Sequence, residues 1–291
     1  MAVVALVVTV APAQGASPNG LGLTWGSNAN GQLGTDMPIA VDTAGVLSGK
    51  TVTDSSAGGE HSCAIADGAV FCWGNNQDGR LGNGQTTRSL IPVAVNTSGV
   101  LAGRTVTSVS AGENHTCAIA DGAAYCWGSN NQGQLGNNGG PFDDYSSPVA
   151  VNTAGALSGK TVTSISAGSN RTCAIAYSTG PSDSAAYCWG NNNAGQLGDN
   201  STTQRKTPVA VTASDPGLAD KTVTDISTGG THTCAVADGA AYCWGYNGNG
   251  QLGDNSTTQS HVPVAVDTAG VLLGRTVTDI SAGGTHSCAV A

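Results

Sequence analysis

Apolar residues along this chain fall into short runs separated by Gly, Asn and Asp, and the clearest run fixes a local structure by itself. Residues 63–72 read Cys-Ala-Ile-Ala-Asp-Gly-Ala-Val-Phe-Cys. Asp67-Gly68 is a signal for a two-residue type I′ turn. That turn places Ala66 opposite Ala69, Ile65 opposite Val70, Ala64 opposite Phe71 and Cys63 opposite Cys72. One face then carries Cys63, Ile65, Val70 and Cys72. The other carries Ala64, Ala66, Ala69 and Phe71. A sheet with one wet face alternates apolar and polar positions. Both faces here are apolar, so the hairpin is expected to be covered on both sides, with small residues permitting close stacking.

The pattern recurs. Trp25, Trp73, Trp127, Trp189 and Trp244 each open one phrase, of which WGSNNQGQLG, at Trp127, is the third. A Pro-Ile/Val-Ala-Val run follows, then Gly-Lys/Arg-Thr-Val-Thr, then His/Arg-Ser/Thr-Cys-Ala-Ile/Val-Ala and the next Cys-Trp-Gly. Four β-prone runs result per repeat, for example 92–95, 105–110, 116–120 and 123–127. Four strands in about 55 residues is the arithmetic of a propeller blade. The expected fold is all-β: a propeller of four-stranded antiparallel blades with five repeats. Counted from one tryptophan to the next, the blades span 26–73, 74–127, 128–189, 190–244 and 245–291, the last completed by 21–25. Both a closed five-bladed ring and a fragment of a seven-bladed one fit this count.

Eight of the nine cysteines form in-register pairs: Cys63–Cys72, Cys117–Cys126, Cys173–Cys188 and Cys234–Cys243. Each falls on a non-hydrogen-bonded pair, where Cα atoms approach to about 4.5 Å, at the short end of the disulfide range. Clustered metal-ligand spacings and CxxC redox motifs are absent. Disulfides are the preferred reading over buried thiols, contributing roughly 2.7 kcal/mol per ten-residue loop, and they persist in oxidising compartments. Cys288 is left over. If 21–26 completes the last blade, Thr24 stands where its partner cysteine would be.

The phrase Gly-x-x-His-x-Cys-Ala-Ile-Ala-Asp-Gly-x-x-Tyr-Cys-Trp-Gly-x-Asn-x-x-Gly-Gln-Leu-Gly resembles the repeat of the regulator of chromosome condensation (RCC1-like) family over residues 20–291. The resemblance implies a β-propeller, usually of seven blades. Members of that family include a nucleotide exchange factor for a small GTPase that docks on nucleosomes, interaction modules, and secreted bacterial inhibitors that bind an enzyme across one face. The paired cysteines resemble the bacterial secreted type. The residues that match are framework, so no exchange-factor or inhibitor contact carries over.

Composition narrows the function. The chain has 291 residues, 43 glycines and a formal charge of −9. Lys50, Arg104, Lys160, Lys221 and Arg275 each precede Thr-Val-Thr, one per repeat, so no dense basic patch forms and direct nucleic-acid binding is not expected. Residues 1–19 are leader-like: the apolar 2–13 stretch is too short to span a bilayer and is similar to a secretory h-region with a small-residue site at Ala11-Pro12-Ala13, without a basic n-region. The expected location is secreted or cell-surface, the alternative cytoplasmic.

His61, His115, His232 and His286, with Arg171 in the third repeat, occupy one repeated position and read as loop ties rather than a metal ring or catalytic base. The aspartates of 198–202 and 253–257 lack the alternating spacing of a calcium loop. No nucleophile elbow, zinc motif or phosphate loop occurs, so no catalytic residue, metal or cofactor is assigned. What departs from the repeat marks the candidate binding surface: Phe142, Asp143, Asp144 and Tyr145 in loop 137–147, Tyr177 in the insert 177–184, and Arg205, Lys206 and Tyr246. The function read from this is a monomeric, non-enzymatic scaffold for an extracellular protein or cell-envelope glycan. The alternatives are an exchange factor or chromatin adaptor, and a propeller lyase or hydrolase.

Overall fold

A computed structural model describes residues 23–24, 39–40, 45–140, 143–212, 217–218 and 220–291. The leader-like 1–19, Trp25 and Phe142 lie outside the described residues. Four four-stranded antiparallel sheets are formed. The first contains β3 (Val52–Ala57), β4 (His61–Ala66), β5 (Ala69–Gly74) and β6 (Ser89–Ala94). The second contains β7 (Val106–Ala111), β8 (His115–Ala120), β9 (Ala123–Gly128) and β10 (Tyr145–Ala150). The third contains β11 (Thr161–Ala167), β12 (Arg171–Tyr177), β13 (Ala185–Gly190) and β14 (Arg205–Ala210). The fourth contains β15 (Val223–Thr228), β16 (His232–Ala237), β17 (Ala240–Gly245) and β18 (Ser260–Ala265). Two strand pairs stand beside them: β1 (Leu23–Thr24) with β2 (Ile39–Ala40), and β19 (Asp279–Ala282) with β20 (Ser287–Val290).

The frame of the sheets is shifted from the frame of the tryptophans. Each Cys-Trp-Gly strand pairs onward with the Pro-Val-Ala strand that follows it, as in Cys126↔Val149. A sheet therefore straddles its tryptophan, and the sheet boundaries fall between the Pro-Val-Ala run and the next Thr-Val-Thr run.

The hairpin register is the one the turn dictates. Asp67 and Gly68 both take left-handed φ, 50° and 74°, as a type I′ turn demands. Ile65 faces Val70 and Cys63 faces Cys72. The four expected disulfides are present, each with Cα atoms 4.1 Å apart. Every residue of β4, β8 and β16 is buried, so both faces of the hairpins are covered.

The described residues form two compact units, one up to Asn130 together with 143–150, the other 131–140 together with the residues from Val151 onward. In the first unit Cys63, Ile65, Val70 and Cys72 pack against Ala118, Ala120, Tyr125 and Trp127 of the second sheet. The opposite face, Ala64, Ala66, Phe71 and Trp73, packs on Leu47. In the second unit Cys173, Ile175 and Cys188 meet Ala235, Tyr242 and Trp244 in the same way. The repeated basic residue also finds its role here. Lys50, Arg104, Lys160 and Lys221 lie 5.6–5.9 Å from the ring centroids of Phe71, Tyr125, Tyr187 and Tyr242, a cation–π cap on the aromatic of the third strand.

Candidate binding surface

The repeated polar residues form a buried frame. His61 Nε2 lies 2.7 Å from Thr116 Oγ1, so the ring ties one sheet to the next and not merely its own loop. Thr116 Oγ1 donates to the Arg80 carbonyl at 2.8 Å, and Trp127 Nε1 donates to the same oxygen at 2.9 Å. In the second unit Thr233 and Trp244 share the Gln196 carbonyl in the same manner, and His232 Nε2 lies 2.9 Å from Ser287 Oγ. Burial, with the Arg80 charge second, pushes His61 down to about 3. Burial and then Arg171 push His232 down to about 4. A base that weak and that enclosed takes few protons from a substrate at neutral pH.

Three of the Trp-Gly-x-Asn asparagines, Asn76, Asn192 and Asn247, organise the loop beyond them. Asn192 Oδ1 accepts the Leu197 amide, and its Nδ2 donates to Asp199 Oδ1 and the Ser201 and Thr203 carbonyls. Asn247 repeats this with Leu252, Asp254, Ser256 and Thr258. The asparagine thus gathers the Asp, Ser and Thr of the loop that follows it.

The irregular residues singled out from sequence separate into several places. In the first unit Asp144 accepts the Asn130 amide at 2.9 Å, so it closes a loop although its side chain is exposed. Asp143 is exposed beside it. Tyr145 is half-buried and opens β10, opposite Gly128. In the second unit Arg205 opens β14, opposite Gly190. Its Nε donates to Asp199 at 2.8 Å. Burial pushes the Asp199 carboxyl up, but hydrogen bonds from Ser201, Arg205 and Asn192 outweigh that and hold it low. Lys206 follows in the strand, its backbone pressed over Gly133, where a Cβ would stand 2.9 Å from the Lys206 Cα. Tyr246, 41% exposed, follows β17 at the corresponding end of the fourth sheet. Tyr177 does not join them. It ends β12 opposite Thr161, at the far end of the third sheet from Arg205. The insert beyond it is ordered by Asp183, which accepts from Ser178, Thr179 and Gly180.

Superposing the repeats on their Pro-Val-Ala strands shows what the candidates share. The three residues before the proline are Ser89-Leu90-Ile91, Tyr145-Ser146-Ser147, Arg205-Lys206-Thr207 and Ser260-His261-Val262. They open the outermost strand of each sheet and vary while the strand around them is constant. Leu90 and Ile91 are each 55% exposed. They, with His261, are the members missed by looking only at loops. Aligning the repeats on the proline would have found them.

Comparison with known proteins follows this geometry. A family model described as RCC1-like domain matches residues 16–291. The human E3 ubiquitin-protein ligase HERC2 is 31% identical over 277 residues, 91% of this chain and 5% of its own length. The ultraviolet-B receptor UVR8 of Arabidopsis thaliana is 31% identical over 81% of this chain and 50% of its own. The chain thus spans half or less of the length of these two relatives. Both are eukaryotic, so they carry the family and not the secreted bacterial branch. Among solved structures, human WBSCR16 aligns with a TM-score of 0.78 at 21% identity, over 93% of this chain and 67% of that one. Yeast RCC1 (Prp20) aligns with 0.72 at 20%, over 93% and 64%. These likenesses carry the propeller fold.

Proposed function

Because the chain belongs to the RCC1-like domain family, we propose that it is a non-enzymatic propeller scaffold that binds a protein or a cell-envelope glycan through the variable openings of its outermost strands. One observation carries this reading: the three positions before the proline change in type and charge between sheets while the strands around them stay constant. Function concentrates where a rigid repeat scaffold varies. Tyr145 and Arg205 are residue types that anchor interfaces, and Leu90 and Ile91 add exposed apolar surface at the strand opening. The net charge of −9 counts against a polyanionic partner.

The partner is sought by comparing proteins and glycans retained by the wild-type chain with those retained by the Leu90→Ser/Ile91→Ser variant and by the Tyr145→Ala variant. Loss of a specific ligand with an unchanged melting temperature is the expected result. Identical retention by all three proteins would move the site elsewhere.

We also propose export. Four disulfides support an oxidising compartment. Alkylation before reduction, on protein taken from its native compartment, is expected to leave one reactive thiol, at Cys288. Nine would place the chain in a reducing one.

A further inference from the structure

The glutamine of the repeated Gly-Gln-Leu-Gly has a fixed place in the loop beyond the third strand. In the third sheet Gln196 Oε1 accepts the Ala194 amide at 2.7 Å. Its Nε2 donates to Asn191 Oδ1 at 2.5 Å and to Asn193 Oδ1 at 3.2 Å. Gln134 of the second sheet takes the same pose, with the Gln132 amide on its Oε1 and Asn131 Oδ1 accepting from its Nε2. Gln251 of the fourth sheet keeps half of this. Its Oε1 accepts the Asn249 amide at 3.0 Å, which orients the side chain alike. Its Nε2 has no hydrogen-bond partner among the described residues, although Gln251 is only 3% exposed. The cause is local, because both acceptor positions have changed. Tyr246 stands where the third sheet has Asn191, and Gly248 where it has Asn193. A buried amide donor without an acceptor is costly, and few are left so in a native fold.

The two changes belong together. A Cβ on Gly248 would stand 2.1 Å from the Tyr246 Oη and 2.5 Å from its Cζ, so a larger residue would displace the ring. Gly248 does not take a left-handed φ. The glycine therefore serves the ring and not the backbone. Its counterparts in the other described loops, Gln77, Asn131 and Asn193, all carry long polar side chains. The loop of the preceding sheet makes room as well. Asn191 Nδ2 reaches back to Gln132 Oε1 at 3.0 Å, but one sheet further on the residue in the place of Gln132 is Ala194. The Tyr246 hydroxyl makes no hydrogen bond among the described residues. An exposed phenol, fixed by no polar contact, thus occupies the place where the acceptors of the amide donor would stand.

We propose that Tyr246 and Gln251 form a subsite for a neutral glycan that carries an N-acetylated hexosamine. The Tyr246 ring turns aside about its Cα–Cβ bond, the acetamido carbonyl accepts from Gln251 Nε2, and the pyranose stacks on the ring. An amide nitrogen only donates, so the ligand must bring an oxygen acceptor. Residues 244–253 contain no charged side chain. Nothing there offsets the desolvation of a carboxylate or phosphate, which leaves a neutral carbonyl. The second half of the ligand follows from the ring. Its face is negative and attracts the polarised C–H groups along one side of a pyranose. The subsite takes up the glycan of the proposed function but uses none of the strand-opening residues, so either reading can fail without the other.

The test titrates the protein by calorimetry with chitotriose and with cellotriose, which has a hydroxyl in place of each acetamido group. Chitotriose is expected to bind, and cellotriose about tenfold more weakly, since it leaves Nε2 without its carbonyl. Tyr246→Ala is expected to weaken chitotriose about tenfold through loss of the stacked ring. The Tyr246→Asn/Gly248→Asn protein gives this loop the acceptors of the third sheet. It is expected to lose chitotriose binding and to melt at a higher temperature than the wild type, because Nε2 is then matched from within. The Leu90→Ser/Ile91→Ser protein is expected to bind chitotriose as the wild type does. Loss of binding in that variant alone would move the glycan to the strand openings and overturn the proposal. So would equal affinity for the two sugars, no binding of chitotriose, or unchanged binding by the double asparagine variant. Acetylated tetraglycine amide offers carbonyls without a pyranose, and binding as tight as that of chitotriose would overturn the proposal in favour of a peptide.

Discussion

Acidification from pH 7 to pH 4 is expected to remove most of the stability of this protein, with the loss beginning well above the pH at which its carboxylates titrate. The cause is the row of enclosed histidines. Burial, followed by the charge of Arg80, holds His61 and His115 at about 3, and burial with Arg171 holds His232 at about 4. The same residues titrate near 6.5 in an unfolded chain. Below pH 6.5 the unfolded state takes up protons that the folded state refuses, so stability falls as pH falls. The loss runs from about 6.5 down to the folded values and stops there. Above 6.5 these groups contribute no pH dependence. Each histidine costs about 1.4 kcal/mol per pH unit in that window, so three approach about 4 kcal/mol per unit. Asp54 and Asp225 act oppositely. Burial raises both, so the folded state accepts their protons more readily, but only near the carboxylate range. Urea titrations at intervals from pH 7.5 to 4 measure the slope. The His61→Gln variant keeps a partner for Thr116 and is expected to lose about a third of it. A flat profile across pH 6.5–4.5 would show that the rings are open to water.

What the sequence revealed, and what it hid, divides along the range of the interactions. The hairpin register was legible because Asp67-Gly68 admits one turn type, and a two-residue loop leaves no slack for Cys63 and Cys72 to slip. The cover on both faces was legible from Ala64, Ile65, Val70 and Phe71. The histidine contact was not, because Thr116 lies 55 residues beyond His61 and nothing local announces it. The candidate site was half legible. Looking for loops found Tyr145, Arg205 and Lys206, but these prove to be strand residues. β6 begins at Ser89, three residues before the proline, because the ladder resumes at Gly74↔Ser89 after a bulge. A bulge is set by pairing geometry and leaves no mark in a single strand's pattern, so nothing in that strand's sequence alone singled out Leu90 and Ile91. Tyr177 lies at the other end of its sheet from Arg205, a separation set by strand pairing, which the insert itself does not reveal.

Arg171→Met is expected to lower stability by about 3 kcal/mol. Arg171 replaces the repeat's histidine in the third sheet and is 1% exposed. Its longer side chain reaches further. Nε donates to Thr233 Oγ1 at 3.1 Å, Nη1 to the Gly230 carbonyl at 2.9 Å, and Nη2 to the carbonyls of Gly229, at 3.2 Å, and His232. Two effects compete on removing it. Burying a guanidinium is costly, as the fall of its pKa to about 9 through burial shows, and methionine recovers that cost while filling much of the volume. Against this, the buried Gly229 carbonyl and the half-buried Gly230 carbonyl lose a charged donor, at about 1–3 kcal/mol each. The His232 carbonyl is spared, since the Gly229 amide also donates to it. Two orphaned acceptors outweigh the recovered desolvation, which fixes the sign. At about 2–4 °C per kcal/mol for a domain of this size, the melting temperature is expected to fall by about 10 °C. Arg171→His separates the explanations. It restores the repeat's own residue and the contact with Thr233, as His61 holds Thr116, yet reaches neither carbonyl. A loss comparable to that of Arg171→Met would assign the stabilisation to the carbonyls, whereas full recovery would assign it to the threonine contact and make the longer reach dispensable.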